Sequence, residues 1–308
     1  MKYNRIIVTG GSGQVGKSLK KILQNATYLS SKDFDLTNQQ EVKLMFDTLN
    51  PDCIIHAAAK CGGIISNLEK PAEYFDENIL LNTFVIQECY KHNVERLISI
   101  NSTCSFPDIL PDELYPLKED MLHFGPPSSF HFSYAMTKRA MISQIEAYNK
   151  QYGTKYQYLT PSNIYGENDK YDYNSHFIAD LIKKIHIAKK NGDTHIKLYG
   201  SGKSLRQFMH SDSLAYVIKL CLDNDIYDNM NVSGEENFSI NEMAEIALRA
   251  CDAENISIEY DLSIDGQYRK DVSCELLKKN MPLFKPILLE DGIRQTYKKL
   301  LEHKTLER

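Results

Sequence analysis

The stretch "RIIVTGGSGQVGKSLKKIL", residues 5–23, decides the fold. A β-branched run, Ile6 to Thr9, breaks into a glycine turn and resumes with helical spacing. Gly10, Gly13 and Gly16 recur every third residue, and Gly11-x-Gly13-x-x-Gly16 also fits the dinucleotide fingerprint. Such a turn lets the backbone approach a pyrophosphate seated at the N-terminus of the following helix. A strand before and a helix after make these glycines a cofactor loop rather than an ordinary turn. Ser12, Gln14 and Val15 complete the candidate loop.

Working outward, strand and helix patterns alternate. "ATYLS" (26–30), "DCIIHAA" (52–58), "RLISI" (96–100) and "YQYLTPSNIYG" (156–166) read as strands. "NQQEVKLMFDTL" (38–49), Pro71 to His92 and His131 to Tyr152 read as helices between them. This alternation predicts an α/β protein with a doubly wound parallel sheet, helices on both faces. After Gly166 the pattern loosens. A helix from His176 to Lys190 precedes "HIKLYGSGKSLRQFMHS" (195–211), a strand, a glycine turn and a second strand. Helices follow at Ser213–Asp223, Ile240–Ala250 and Glu290–Glu302. Residues 1–165, with returning segments, form the expected dinucleotide-binding domain, and 166–308 mainly a smaller mixed α/β substrate lobe.

The 308 residues carry a net charge of −5 with mixed signs, which gives no basic field for nucleic acid and no polybasic membrane patch. "MKYNRIIVTGG" has no signal-peptide pattern and no segment nears the ~20 apolar residues of a membrane span, so the chain reads as cytoplasmic. The cysteines are seven, irregularly spaced and without a C-x-x-C pair, so neither a disulfide framework nor a metal site is indicated. Cys53, Cys61, Cys89, Cys221, Cys251 and Cys274 read as small buried hydrophobes. Cys104 stands apart, because "NSTCSFP" (101–107) follows a buried strand and opens toward a cleft.

The second strand ends in Ser30, Ser31 and Lys32, where an NAD site usually has an acid for the ribose 2′-hydroxyl. With Lys17 and Lys20 nearby, these residues suit a 2′-phosphate and favour NADPH, while Asp33 and Asp35 keep NADH open. Ala57, Ala58 and Ala59 after strand three are further cofactor candidates. Tyr134 and Lys138 in "SYAMTKRA" lie four residues apart on one helix face. A tyrosine titrates near ~10, so acid–base work at neutral pH needs a cation such as this lysine to bring it down. Ser102 would join Tyr134 in polarising a substrate carbonyl.

On these motifs the chain resembles the extended short-chain dehydrogenase/reductases, and within them the GDP-L-fucose synthase family. The resemblance spans nearly the whole sequence: "VTGGSGQVG", "HAAAKCGGI", "NSTCSFP", "FSYAMTKRA", "TPSNIYGENDKYDYNSHFI", "YGSGKSLRQFMHSDSLA" and "DGQYRKD". It implies a homodimeric NADPH enzyme that exchanges protons at C3 and C5 of a GDP-4-keto-6-deoxy sugar and then reduces C4. Ser102, Tyr134 and Lys138 would carry the reduction, and Cys104 and His176 the epimerisation. Lys184, Arg206 and Lys270 would meet the diphosphate or ribose, Tyr199 the guanine, and Asn163 the diphosphate or sugar. Where related dehydratases have Thr-Asp-Glu, this chain has Ser102, Thr103 and Cys104, which argues against dehydration. It departs from the family at Ser12 and Asn101, and has Lys184 for the usual arginine and Tyr199 for a frequent tryptophan. Two alternatives stand: a C4-reductase of a related GDP-4-keto sugar such as a 6-deoxy-heptose, and a non-catalytic dinucleotide-binding scaffold.

Overall fold

Strand β1 (Ile6–Thr9) is buried along its whole length, as a central strand covered on both faces must be. The computed structural model describes residues 2–172, 175–234, 236–262 and 267–307. Tyr173, Asn174, Asp265 and Gly266 of the motifs quoted above lie outside them. In chain order β1 leads to α1 (Gln14–Ile22), β2 (Thr27–Leu29), α2 (Gln39–Leu49) and β3 (Cys53–His56). Helices α3 (Ile64–Glu69) and α4 (Pro71–Lys91), β4 (Arg96–Ile100), α5 (Phe132–Tyr152) and β5 (Gln157–Pro161) follow. The second half holds β6 (Asn163–Tyr165), α6 (Phe177–Asn191), β7 (His195–Tyr199), β8 (Leu205–Arg206), β9 (Phe208–His210) and α7 (Ser211–Asp223). It ends with β10 (Met230–Val232), β11 (Phe238–Ser239), α8 (Ile240–Ala250), β12 (Ser257–Asp261), α9 (Glu275–Asn280) and α10 (Leu289–Glu302).

Six strands form one parallel sheet in the order β2-β1-β3-β4-β5-β10. Alternation of side chains divides its core in two. Val8, Ile55 and Ile98 pack with Leu19 of α1 and Leu214 and Ile218 of α7. Ile7, Ile54 and Leu97 face the other way, against Phe46 of α2, Val85 of α4 and Ile142 of α5. A third cluster is built on α6, α8 and α10. The strand order reverses between β1 and β3, and this opens the crevice where doubly wound sheets hold ligands.

One expectation from the sequence changes, the strand at 156–166, and one helix is added. The helix read from Pro71 to His92 is preceded by a separate α3, and Lys70 at φ −130° and ψ 46° breaks the chain between them. Pro71 then starts α4, the position where a missing N–H costs nothing. The strand read across residues 156–166 splits at Pro161, and its second part, β6, pairs in parallel with β9 instead. Polar β12, absent from the sequence reading, pairs with β7.

Glu167 ties α1 to α10. Its carboxylate takes Lys21 of α1 at 2.6 Å and Lys299 of α10 at 3.0 Å. Burial pushes that carboxyl up, but the two lysines outweigh it and hold it at about 2 instead of 4.5. A depressed carboxyl stabilises the fold above its unfolded value and loses that contribution as pH falls. With half-exposed lysines the contribution is on the order of 2 kcal/mol. Glu167→Gln should therefore lower the melting temperature by about 2–5 °C at pH 7. Thermal melts across pH should show this gap closing as pH drops from 4.5 toward about 2.

Candidate active site

Glycine geometry shapes the first part of the cleft. Gly10 has φ +69°, and a Cβ there would lie 2.7 Å from the Ala58 nitrogen and 2.8 Å from the Ala57 carbonyl carbon. A Cβ on Gly16 would run into the Gly10 carbonyl oxygen. Gly13 caps α1 without a side-chain bond, and no acid occupies the first turn. The helix therefore presents free N–H groups and the positive end of its dipole to the crevice. The Gln14 Nε2 is buried and has no partner among the described residues. This donor-rich cradle without side chains fits a dinucleotide pyrophosphate.

At the end of β2, Asp33 accepts from the Ser30 amide at 2.7 Å and hydroxyl at 2.8 Å, bonds that hold its carboxyl below the usual range. Asp35 accepts from the Thr37 amide and hydroxyl at 2.9 and 2.7 Å. Both carboxylates are thus engaged in local turns, while Ser31, Lys32, Lys17 and Lys20 are exposed. That arrangement suits a 2′-phosphate better than a 2′-hydroxyl.

The second part lies where β4 ends. Ser102 starts a short 3₁₀ turn, its hydroxyl accepting from the Cys104 amide at 3.2 Å. Buried Asn101 ties this turn to β5 by bonds of 3.0 Å to both Ser105 Oγ and Thr160 Oγ1. Arg139 of α5 grips the far end, donating to the Ser105 carbonyl at 2.7 Å and to Gly125 at 2.8 Å. Lys138 Nζ donates to the Ile100 carbonyl at 2.7 Å and lies 5.7 Å from the Tyr134 ring centre. These bonds bring Tyr134, Ser102 and Lys138 together at the end of β4.

The expected lowering of Tyr134 is not found in this state. Burial drives its hydroxyl well above 10, negative charge on the Cys61 and Cys104 sulfurs adds to that, and the Ser102 hydroxyl pulls it back. The physical reason is where Lys138 points: its ammonium serves the Ile100 carbonyl, and burial brings it down to about 8. Cys61 is a second correction. Read as packing, it lies half-buried in the cleft with its Sγ 3.7 Å from the Tyr134 hydroxyl. Its place in the quoted "HAAAKCGGI" was the signal available.

The third part surrounds Cys104. Lys270 Nζ lies 3.5 Å from the Cys104 sulfur, placed there by a strap that crosses between two elements. Within the strap, the Tyr268 carbonyl accepts from the Leu205 amide at 2.7 Å and the Asp271 carbonyl from Leu117 at 2.9 Å. His176, at the start of α6, holds Asp169 at 2.9 Å through Nδ1. Burial pushes His176 down, but the bond and charge of Asp169 outweigh it and leave it raised. His131, which the sequence reading missed, sits three residues before Tyr134. Burial first, then the charges of Lys270, His176 and Arg206, press its imidazole down to about 3.

The remaining candidates spread outward from this point. Arg206 donates to the Leu205 carbonyl at 2.7 Å, and Asn163 Nδ2 to the Gln207 carbonyl at 2.9 Å. Lys184 pairs with Asp180 at 2.8 Å and stands 5.6 Å from the ring centre of Tyr199. Tyr199 is 62% exposed, a free flat surface beside a cation. Lys184 is about 12 Å along α6 from His176, a fitting separation for one extended ligand.

The sequence profile of the NAD dependent epimerase/dehydratase family matches residues 6–233. A GDP-L-fucose synthase of Dictyostelium discoideum is 36% identical over 297 residues, covering 92% of this chain and 91% of that protein. GDP-L-fucose synthase 1 of Arabidopsis thaliana is 32% identical over 304 residues, covering 96% and 93%. Among solved structures, a GDP-L-fucose synthetase from Naegleria fowleri bound to NADP superposes with a TM-score of 0.87 at 28% identity, covering 98% and 95%.

The His176–Asp169 pair yields a direct test. The parent imidazole should titrate above 6.5, and Asp169→Asn, which leaves burial in place, should bring it below 6.5. Histidine NMR titration reads both midpoints.

Proposed function

The chain belongs to the NAD dependent epimerase/dehydratase family, in its GDP-L-fucose synthase branch, and on that premise we propose that it is an NADPH-dependent enzyme converting a GDP-4-keto-6-deoxy sugar by proton exchange at C3 and C5 followed by reduction at C4. The observation that carries this reading is the convergence of two sets of groups on one cleft. Ser102, Tyr134 and Lys138 meet at the end of β4, and Cys104 with Lys270 lies one short turn away.

The nicotinamide, when bound, supplies the hydride for C4. Gly10, Gly13 and Gly16 leave room for the pyrophosphate, with Ser12, Gln14 and Val15 in the turn and Ala57, Ala58 and Ala59 opposite. Ser31 and Lys32 face the 2′-phosphate. Protons at C3 and C5 flank a carbonyl and are acidic for that reason. Cys104 exchanges them on one face, with the Lys270 ammonium as counter-charge for the thiolate. His176 serves the other face, its proton held in place by Asp169. Ser102 and Tyr134 donate to O4, which stabilises the enolate first and the alkoxide later. Tyr134 finally gives its proton to O4, and Lys138 keeps the tyrosine in register with the cofactor ribose. Arg206, Lys184 and Asn163 hold the diphosphate and ribose, and Tyr199 stacks on the base. Residues 166–308 supply most of this substrate surface.

Assembly belongs to the same proposal. Helices α4 and α5 pack together and expose Tyr90 and Tyr152, stacked at 4.1 Å with Tyr148 edge-on at 5.6 Å from Tyr90. An aromatic patch of this kind suits a second copy of the chain, giving a homodimer. No described helix is long and apolar enough to cross a membrane, and a cytoplasmic location is part of the same proposal.

Reaction with GDP-4-keto-6-deoxy-mannose and NADPH in heavy water tests the chemistry. The product should carry deuterium at C3 and C5, and Cys104→Ser should cut that incorporation by about 100-fold or more. Reduction without deuterium would replace the epimerase by a plain C4-reductase and direct the search to longer GDP-4-keto sugars. No oxidation of NADPH would leave the scaffold. Sedimentation equilibrium tests the assembly: a dimer mass for the parent, shifted toward monomer in Tyr152→Glu.

A further inference from the structure

Cys61 has no part in the chemistry just described, yet the fold fixes it against the tyrosine that does. Both neighbours of Cys61 are clamped by buried asparagines. Asn78 accepts from the Lys60 amide at 3.0 Å and donates to the Lys60 carbonyl at 3.1 Å. Asn67 Nδ2 donates to the carbonyls of Gly62 and Gly63, each at 3.0 Å. Asn78 and Asn67 are 0% and 6% exposed. Gly62 passes so close to the Tyr74 hydroxyl that a Cβ would not fit, and that hydroxyl is held by Ser66 at 2.9 Å. A cysteine that merely fills space needs no such frame. Here the frame directs the sulfur to 3.7 Å from the Tyr134 oxygen, within reach of a hydrogen bond involving sulfur.

We propose that Cys61 is a positioning residue of the reduction, its S–H donating to the Tyr134 oxygen and stabilising the phenolate left when that oxygen gives its proton to the substrate. The proposal rests on the reading of Tyr134 as the proton donor. Burial sets Tyr134 well above 10 and negative charge on the Cys61 sulfur raises it further, so only the protonated thiol can ease formation of the phenolate. Burial also pushes the Cys61 thiol up, while Lys138, the bond to Tyr134 and Lys170 pull it back. The group is therefore a thiol at neutral pH, the protonation state that donates. Other titratable groups bear on this pair from three sides. Cys104 faces it from the turn after β4, Lys138 from α5 and Lys170 from the loop after β6. None of these supplies an uncharged donor at the tyrosine oxygen. Cys61 stands at hydrogen-bond distance from that oxygen, on the side of the β3 loop.

The test is the pH dependence of C4 reduction in Cys61→Val, Cys61→Ser and Tyr134→Phe, with GDP-4-keto-6-deoxy-mannose and NADPH. Loss of the donor makes Tyr134 a weaker acid. Cys61→Val should then lower kcat by roughly 3- to 10-fold, keep KM within about twofold, and move the alkaline limb to higher pH. Cys61→Ser retains a donor and should recover at least half of that loss. A parental kcat and limb in Cys61→Val would overturn the inference. So would equal damage in both cysteine variants with the limb unmoved, which is the mark of packing alone. Tyr134→Phe separates the two levels. If it still reduces at the parental rate, the role of Tyr134 itself falls, and that of Cys61 with it. If it is inactive while Cys61→Val is silent, only the inference about Cys61 falls.

Discussion

The hydrogen bond from the Lys138 ammonium to the Ile100 carbonyl joins the helix that carries Tyr134 to the strand end that carries Ser102 and Cys104. Tyr134, Ser102 and Cys104 meet across that junction. A buried ammonium is costly unless it is paired, and a single carbonyl is a modest partner. The neighbouring residues stiffen the joint instead of sharing the charge. Asn101 anchors the turn after β4 to β5, and Arg139, one residue beyond Lys138, holds the same turn from α5. The strand end and the helix are thereby locked at two levels, so a sub-ångström placement does not depend on one flexible side chain.

The same burial that fixes these groups also sets their charge states. Tyr134 is driven up, Lys138 down to about 8 and His131 down to about 3, in each case by desolvation first. His176 is the exception, because Asp169 opposes burial and prevails. The chain carries a net charge of −5, yet Lys138, Lys170, Lys270 and Arg206 gather around the cleft. A local cationic field within an acidic protein favours a diphosphate-bearing ligand without general affinity for polyanions.

What could be read from the sequence follows from the range of the interactions involved. The five leading strands, the glycine loop and the Tyr134–Lys138 pair depend on periodicity and on residues within a turn or two of each other, and they were legible. Ser102 and Cys104 were legible because a buried strand ends just before them. Cys61 was not, since its partner Tyr134 is 73 positions away and only the fold brings them together. The contact of Lys270 with Cys104 spans 166 positions, and residues read as a phosphate contact and a base turn out to touch. His131 was hidden by its own position, a polar residue at a helix start that looks like surface. The split of β5 from β6 was signalled by Pro161, but the partner β9 that captures the second part could not be inferred from it.

Solvent access differs among the groups of the cleft. Lys138 is 3% exposed, whereas the side chain of His176 is 42% exposed. Proton exchange with water is needed at C3 and C5, where a base and an acid must be refreshed after each event. Hydride transfer has the opposite need, because a developing alkoxide is best stabilised by fixed donors where water is excluded. Cys104 and Tyr134 are both half-buried, intermediate in exposure between His176 and Lys138, so one bound sugar would meet both conditions without leaving the site. The strap that carries Lys270 lies against the thiol and is tied to Leu117 and Leu205. A sugar seated beneath it would keep its C4 toward Tyr134 while C3 and C5 stayed within reach of exchangeable protons.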